Sequence, residues 1–320
     1  MFSGRKLGVL LAAICATALS VPVTATTPST PAPPSQSQAP AAAEAETPIV
    51  PRPAIWLVAD EDTRIYLFGT IHVLPPGLRW RSPAFDHVVA QADELVMEIG
   101  EDPAETELAA IASSVMIGKQ VPILWRVSPD RREALREMIE SVDLPVDMFD
   151  GMQTWAAAMT IAVAAIAKAF ADEQGHTEPL TGVEDALRAD FTQAGRPISG
   201  VKTGTQQLGF LSGLPLHSQR QMLEAMVDAF AAGDPDITGP NEDGWLSGDV
   251  DDIATEMAEL PPEVYDVLIT RRNSAWTGWL LDRMERPGTV LFAVGAGHLA
   301  GRDSVQSMLA ARGVRVTRLD

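Results

Sequence analysis

Two short runs rich in β-formers, Ala54–Ala59 and Arg64–Gly69, flank the polar stretch Asp60-Glu61-Asp62-Thr63, and this pattern predicts a hairpin. Ser82 followed by Pro83 predicts a helix start, with the serine as cap and the helix running to about Ala92. Glu94–Ile99 is a short apolar run that reads as a strand. Beyond it the periodicity turns helical over Pro103–Gly118, from Ser128-Pro129 to Ile139, over the alanine-rich Trp155–Phe170, and over Gly182–Ala194. Pro197–Val201 reads as a strand. Leu216–Ala232, Asp249–Glu259 (with Asp249 as cap) and a long Pro262–Glu285 segment read as helices. The pattern ends as β-α-β: Thr289–Val294, a glycine turn, Asp303–Ala311 and Val314–Arg318. Strands separated by helices predict an α/β fold, with a small mostly parallel or mixed sheet, a large helical insertion and a C-terminal β-α-β unit.

Ahead of this folded part, Arg5 and Lys6 precede an almost unbroken apolar run from Leu7 to Leu19, and Val23-Thr24-Ala25 offers small residues for cleavage. Residues 1–25 therefore read as a signal peptide, too short in its apolar core for the ~20 residues of a bilayer span. The expectation is an exported chain, periplasmic or secreted, with no transmembrane span after cleavage. Cys15 lies inside the apolar run behind the bulky Ile14, which argues against a lipoprotein. Residues 26–53 are rich in Pro, Ala, Ser and Thr and read as a disordered linker. The folded domain is expected over 54–320.

Composition narrows the function. With 43 Asp and Glu against 24 Lys and Arg the chain carries a formal charge of −19, which argues against a nucleic-acid partner. Its single cysteine excludes an internal disulfide and a cysteine-rich zinc site. No Gly-x-Ser-x-Gly elbow, P-loop or dinucleotide fingerprint occurs. Asp234, Asp236, Thr238 and Gly239 resemble the start of a calcium loop, but Trp245 stands where such a loop needs a bidentate glutamate. His87, His176 and His217 fall on a polar helix face or in loops.

Candidate chemistry concentrates at two turns. Gly69-Thr70-Ile71-His72 follows the apolar run Ile65–Phe68, and Gly295-Ala296-Gly297-His298 follows Val290–Val294. In both, a strand runs into glycine and a histidine follows three residues later. Open α/β sheets bind ligands where strands emerge at their carboxyl ends, so these histidines can meet in space. Glu98 near the end of the apolar strand Glu94–Ile99 is costly to bury without a metal ion or an arginine beside it. His72, Glu98 and His298 make a three-ligand set for a divalent metal ion: Zn, Mn, Co or Fe. Taken singly, each residue also fits a structural role.

The stretch Ile65–Pro75, with Trp80, then Ala92–Glu98, Arg272-Asn273 and Phe292–Leu299, resembles the TraB/GumN family, to which the Tiki metalloproteases also belong. Trp155, Gln207, Trp245 and Gly248-Asp249 also match family positions. The resemblance implies a metal-dependent, peptidase-like hydrolase acting on a peptide or small-molecule substrate, with His72, Glu98, Arg272 and His298 at motif positions. A guanidinium at Arg272 suits oxyanion stabilisation or anchoring of a carboxylate. Glu98 suits either ligand or general base. A more distant likeness to the erythromycin-esterase and ChaN haem-binding group implies an alternative, a haem- or metal-binding envelope protein without catalysis. One departure stands out: Val201-Lys202-Thr203 replaces a Leu-Glu-Thr-type segment, so that Lys202 stands where a carboxylate is expected. A third expectation is an envelope interaction protein that uses the helical middle as a partner surface.

Overall fold

The computed structural model describes residues 51–319 except 76, 101–112, 114, 117, 119–120, 175–180, 203 and 234–241. The expected signal peptide, nearly all of the linker, most of the Pro103–Gly118 helix, His176 and the aspartate-rich loop lie outside the described residues. Six strands form one mixed sheet: β1 (Ile55–Ala59), β2 (Thr63–Thr70), β3 (Glu94–Ile99), β4 (Ile198–Lys202), β5 (Gly288–Gly295) and β6 (Val316–Leu319), in the order β4-β3-β5-β2-β1-β6. The first four in that order run parallel, while β1 is antiparallel to both β2 and β6. The chain is α/β with a large helical portion between β3 and β5, as the pattern predicts. The closing β5-α-β6 unit is present, but β2 and β1 lie between its two strands.

Local chemistry explains the elements. The β1–β2 turn is tied by Asp60 Oδ1, which accepts from the backbone N–H groups of Asp62 at 3.2 Å and Thr63 at 2.9 Å. Helix α1 (Pro83–Gln91) is capped by Ser82 Oγ, which accepts from Phe85 N at 3.1 Å. The segment after Ser128 differs from expectation. It opens with a 3-10 turn, Pro129–Arg131, before α2 (Arg132–Ser141), and Ser128 Oγ accepts from Arg131 Nη1 instead of capping. The alanine-rich helix α3 spans Thr154–Gln174, and its described core residues from Trp155 to Ile166 are largely buried. There follow α4 (Val183–Gln193), α5 (Gly204–Ser212), α6 (Leu216–Ala231), α7 (Glu242–Ser247) and α8 (Val250–Met257). No helix among the described residues is long and apolar enough to cross a membrane.

The long helix expected over Pro262–Glu285 is interrupted. A short helix α9 (Pro262–Tyr265) passes through a π-turn at Asp266–Thr270 into α10 (Arg271–Met284). Helix α11 (Val305–Ala311) precedes β6, with Ser304 as its cap. Strand alternation divides the core into two layers. Phe68, Leu95, Met97, Leu291 and Ala293 face the main helical mass. Ile65, Leu67, Val96, Phe292 and Val294 face Trp276 and Leu280 of α10 and Val305 and Leu309 of α11.

Candidate functional site

Each of the four parallel strands delivers one candidate residue at its carboxyl end: Lys202 closes β4, Glu98 lies next to the end of β3, and His298 and His72 follow β5 and β2. The two glycine turns are neighbours, since Thr70 pairs with Gly295 across the β2–β5 register. Their approach is so tight that a Cβ on Gly69 would sit 2.9 Å from Ala296 Cα. Glycine is required there because only a residue without a side chain lets the two turns touch.

Glu98 shares the face of Val96, the face covered by α10. On that helix Arg283 meets Glu94 at 2.8 Å, and Arg272 donates through Nη2 to Glu98 Oε2. Glu98 Oε1 accepts from Gly295 N at 3.0 Å. The buried acid thus has the arginine that its position demanded. Burial alone would raise the Glu98 carboxyl; Arg272 first, then His298, Lys202 and His72, act the other way and hold it at about 2. Arg272 is only 1% exposed, so it is a core residue and not a helix-surface arginine. Its neighbour Arg271 takes the surface position and pairs with Asp266 at 2.7 Å.

His298 is held from behind by Asn273. The Asn273 amide nitrogen donates to the carbonyls of His298 at 3.1 Å and Asp303 at 2.7 Å, which turns Oδ1 toward His298 Nδ1 at 2.7 Å. Nδ1 is therefore the protonated nitrogen of the neutral ring. Burial, then Arg272, keeps the imidazole well below its ordinary range, so Nε2 presents a bare lone pair. That lone pair lies 3.6 Å from Glu98 Oε1. Two acceptors face each other with no proton between them.

His72 points elsewhere. Its Nδ1 lies 2.7 Å from Glu184 Oε1, near the start of α4. Burial would lower this imidazole, but the charge and hydrogen-bonding of Glu184 outweigh it, Glu98 adds to the effect, and the net direction is upward. Glu184 is in turn drawn down by His72 and Thr70 against its own burial. The structure therefore gathers Glu98, Arg272, His298 and Lys202, and places His72 on a second carboxylate. Among the described residues no group of three or more His, Cys, Asp or Glu side chains is arranged to hold a metal ion.

Lys202 completes the site. Its Nζ lies 4.5 Å from the ring centres of both Phe210 and Trp276, and it is buried without a hydrogen-bond partner. Burial, then Arg272, pushes the ammonium down to about 6 against the pull of Glu98. Sequence reasoning missed Asn273 as a support for His298, Glu184 as the partner of His72, and Trp276, which packs 4.5 Å from the His298 ring. Asn273 and Trp276 carried one usable signal, a polar residue and an aromatic in step with Arg272 on one helix. Glu184 carried none, because a glutamate in a first helical turn is ordinary. His87 sits at 2.7 Å from Gln91 and His217 pairs with Glu263 at 2.8 Å, both on the surface.

A family model described as TraB/PrgY/gumN matches residues 54–318, which is nearly the whole described chain. Comparisons with curated proteins and with solved structures return no match.

Proposed function

The chain belongs to the TraB/PrgY/gumN family, and from that premise we propose that it is a metal-dependent hydrolase of peptide-like substrates, with His298, Glu98 and His72 as ligands of a divalent cation and Arg272 as the supporting cation. The observation that carries this reading is the bare Nε2 of His298 facing Glu98 Oε1 at 3.6 Å, an acceptor pair that a cation would satisfy. The His298 imidazole has the tautomer a ligand needs, because Asn273 occupies its Nδ1 and leaves Nε2 free, as outer partners of metal-bound histidines do. His72, whose proton Glu184 favours, would ligate only on losing that proton. His298 and Glu98 supply donors suited to a divalent cation, and His72 would join them only on leaving Glu184.

Such a cation, when bound, would polarise a carbonyl and make a coordinated water acidic enough to ionise near neutral pH. The chain's own groups do the rest. Arg272 and Gly295 N–H fix the Glu98 carboxylate in one orientation and keep it ionised at neutral pH. With its negative charge so held, Glu98 serves as ligand or as acceptor of a proton from water. Asn273 holds the His298 ring and the turn behind it in register. A second reading, metal capture without catalysis, is favoured by Lys202, a cation where a further carboxylate is expected. Export is inferred from the basic and apolar pattern of residues 5–25.

The experiment is elemental analysis of the purified protein beside His72→Ala and His298→Ala, with cleavage of an ester and peptide panel before and after chelation. The reading predicts a bound first-row metal lost in both variants, and cleavage that chelation abolishes and metal restores. Equal metal content in all three proteins refutes it, and metal without cleavage leaves the capture reading.

A further inference from the structure

Buried donors without an acceptor at the site include Lys202 Nζ, Arg272 Nε and Trp276 Nε1, and the first two belong to cationic side chains. Lys202 and Arg272 lie against one ring. Lys202 Nζ is 4.5 Å and the Arg272 guanidinium carbon 4.9 Å from the centre of Trp276, and Phe210 covers Lys202 from another side at 4.5 Å. Aromatic faces attract a cation but accept no hydrogen bond of ordinary strength, so an amine buried between them remains unsatisfied. The acid in this part of the site among the described residues is already engaged, since Glu98 accepts from Arg272 with one oxygen and from Gly295 N–H with the other. Glu184 is engaged with His72. A carboxylate placed against Lys202 would favour its protonated form, and with that proton taken up the site holds one positive charge more than Glu98 and Glu184 answer. Lys202 as a whole is half-buried while its Nζ is buried, so a ligand reaches the amine only by displacing what covers it.

We propose that Lys202 is the anchor for a carboxylate on the substrate, which makes the site selective for peptide-like molecules with one free carboxylate near the scissile bond. A monoanion matches the surplus of one charge. A phosphate dianion would exceed it and would meet Glu98 with twice the repelling charge of a carboxylate. This inference rests on the hydrolytic reading for the word substrate, but the binding it describes can be measured alone. The carboxylate could come from an acidic side chain or from a chain end, and the two sources call for separate probes.

The test uses N-acetyl-alanine for a chain end, N-acetyl-aspartic acid α-amide for a side chain, and N-acetyl-alaninamide as the neutral control. Binding to the purified protein is followed by calorimetry and by tryptophan fluorescence, which Trp276 makes sensitive to this position. At least one carboxylate is expected to bind wild type more tightly than the neutral amide, and about tenfold or more weakly to Lys202→Met. Lys202→Arg should retain most of the affinity, and a melting curve checks that each variant is folded. Should Lys202→Met fail to fold, Lys202→Gln replaces it. Equal binding of the carboxylates and the amide by wild type, or unchanged carboxylate affinity in the folded neutral variant, overturns the proposal. Carboxylate binding that depends on Lys202 without any cleavage keeps this inference and removes the hydrolase. Cleavage of neutral substrates with no effect of Lys202→Met does the reverse.

Discussion

A lysine buried between two aromatic rings should leave a pH signature on stability, and Lys202→Met isolates it. The folded chain holds this amine at about 6, against an ordinary value of 10.5. Between those two values the unfolded chain binds a proton that the folded chain does not, so stability must rise with pH. The sign is the opposite of the one expected for a lysine that gains a partner. Each pH unit contributes up to about 1.4 kcal/mol, which gives roughly 2 to 3 kcal/mol between pH 6.5 and 8.5. Methionine fills a similar apolar volume between Phe210 and Trp276 and does not titrate. The variant should therefore be more stable than wild type at pH 6.5, with an advantage that shrinks by that amount at pH 8.5. Urea unfolding at both pH values measures it, with equal slopes confirming that the unfolded states are comparable. His72 titrates in both proteins, so its contribution largely cancels in the difference. A stability difference that stays constant with pH, to within about 0.5 kcal/mol, would refute the placement of the amine.

Further outcomes follow from the same contacts. Glu98→Gln strips Arg272 of its counter-charge in a buried setting and should cost about 3 kcal/mol or more by denaturant unfolding at pH 7. Because the Glu98 carboxyl is held at about 2, its contribution is complete above its ordinary 4.5 and vanishes as pH falls through 2, so the difference from Glu98→Gln should close in acid titrations over that window. Asn273→Ala removes the acceptor of His298 Nδ1 and the donor to two carbonyls. It should destabilise by about 2 kcal/mol and broaden the tautomer-sensitive nitrogen resonances of His298. Gly182→Ala places a Cβ 2.2 Å from the His72 carbonyl oxygen and should lower the melting temperature sharply, while Gly278→Ala in α10 meets nothing within 4 Å and should be neutral or slightly stabilising in the same assay.

How much of this was open to a reader of the sequence depends on whether a residue's role was set by its near neighbours or by distant ones. The hairpin, the Ser82 cap and the Asp249 cap were legible, because Asp60, Ser82 and Asp249 satisfy backbone groups two or three residues away. Glu98 was legible as a demand, since an acid on an apolar strand must find a positive partner. What the sequence does not carry is which partner. Arg272 lies 174 positions away, beside a second arginine, and only helix phase decides which of the two turns inward. A uniform 3.6-residue period run from Val264 and Leu268 gives no clear preference. The π-turn at Asp266–Thr270 adds a residue to one turn and sets Leu268, Ile269, Arg272, Asn273, Trp276 and Thr277 on one buried stripe. That single irregularity brings Arg272 to Glu98, Asn273 to His298 and Trp276 beneath Lys202. It follows that the π-turn is a part of the site although none of its five side chains enters it. Deleting one residue within Asp266–Thr270 should restore a regular helix, rotate α10 by about 100° and disperse all three contacts together. Loss of only one of the three would show that the stripe is held by the sheet rather than by the turn.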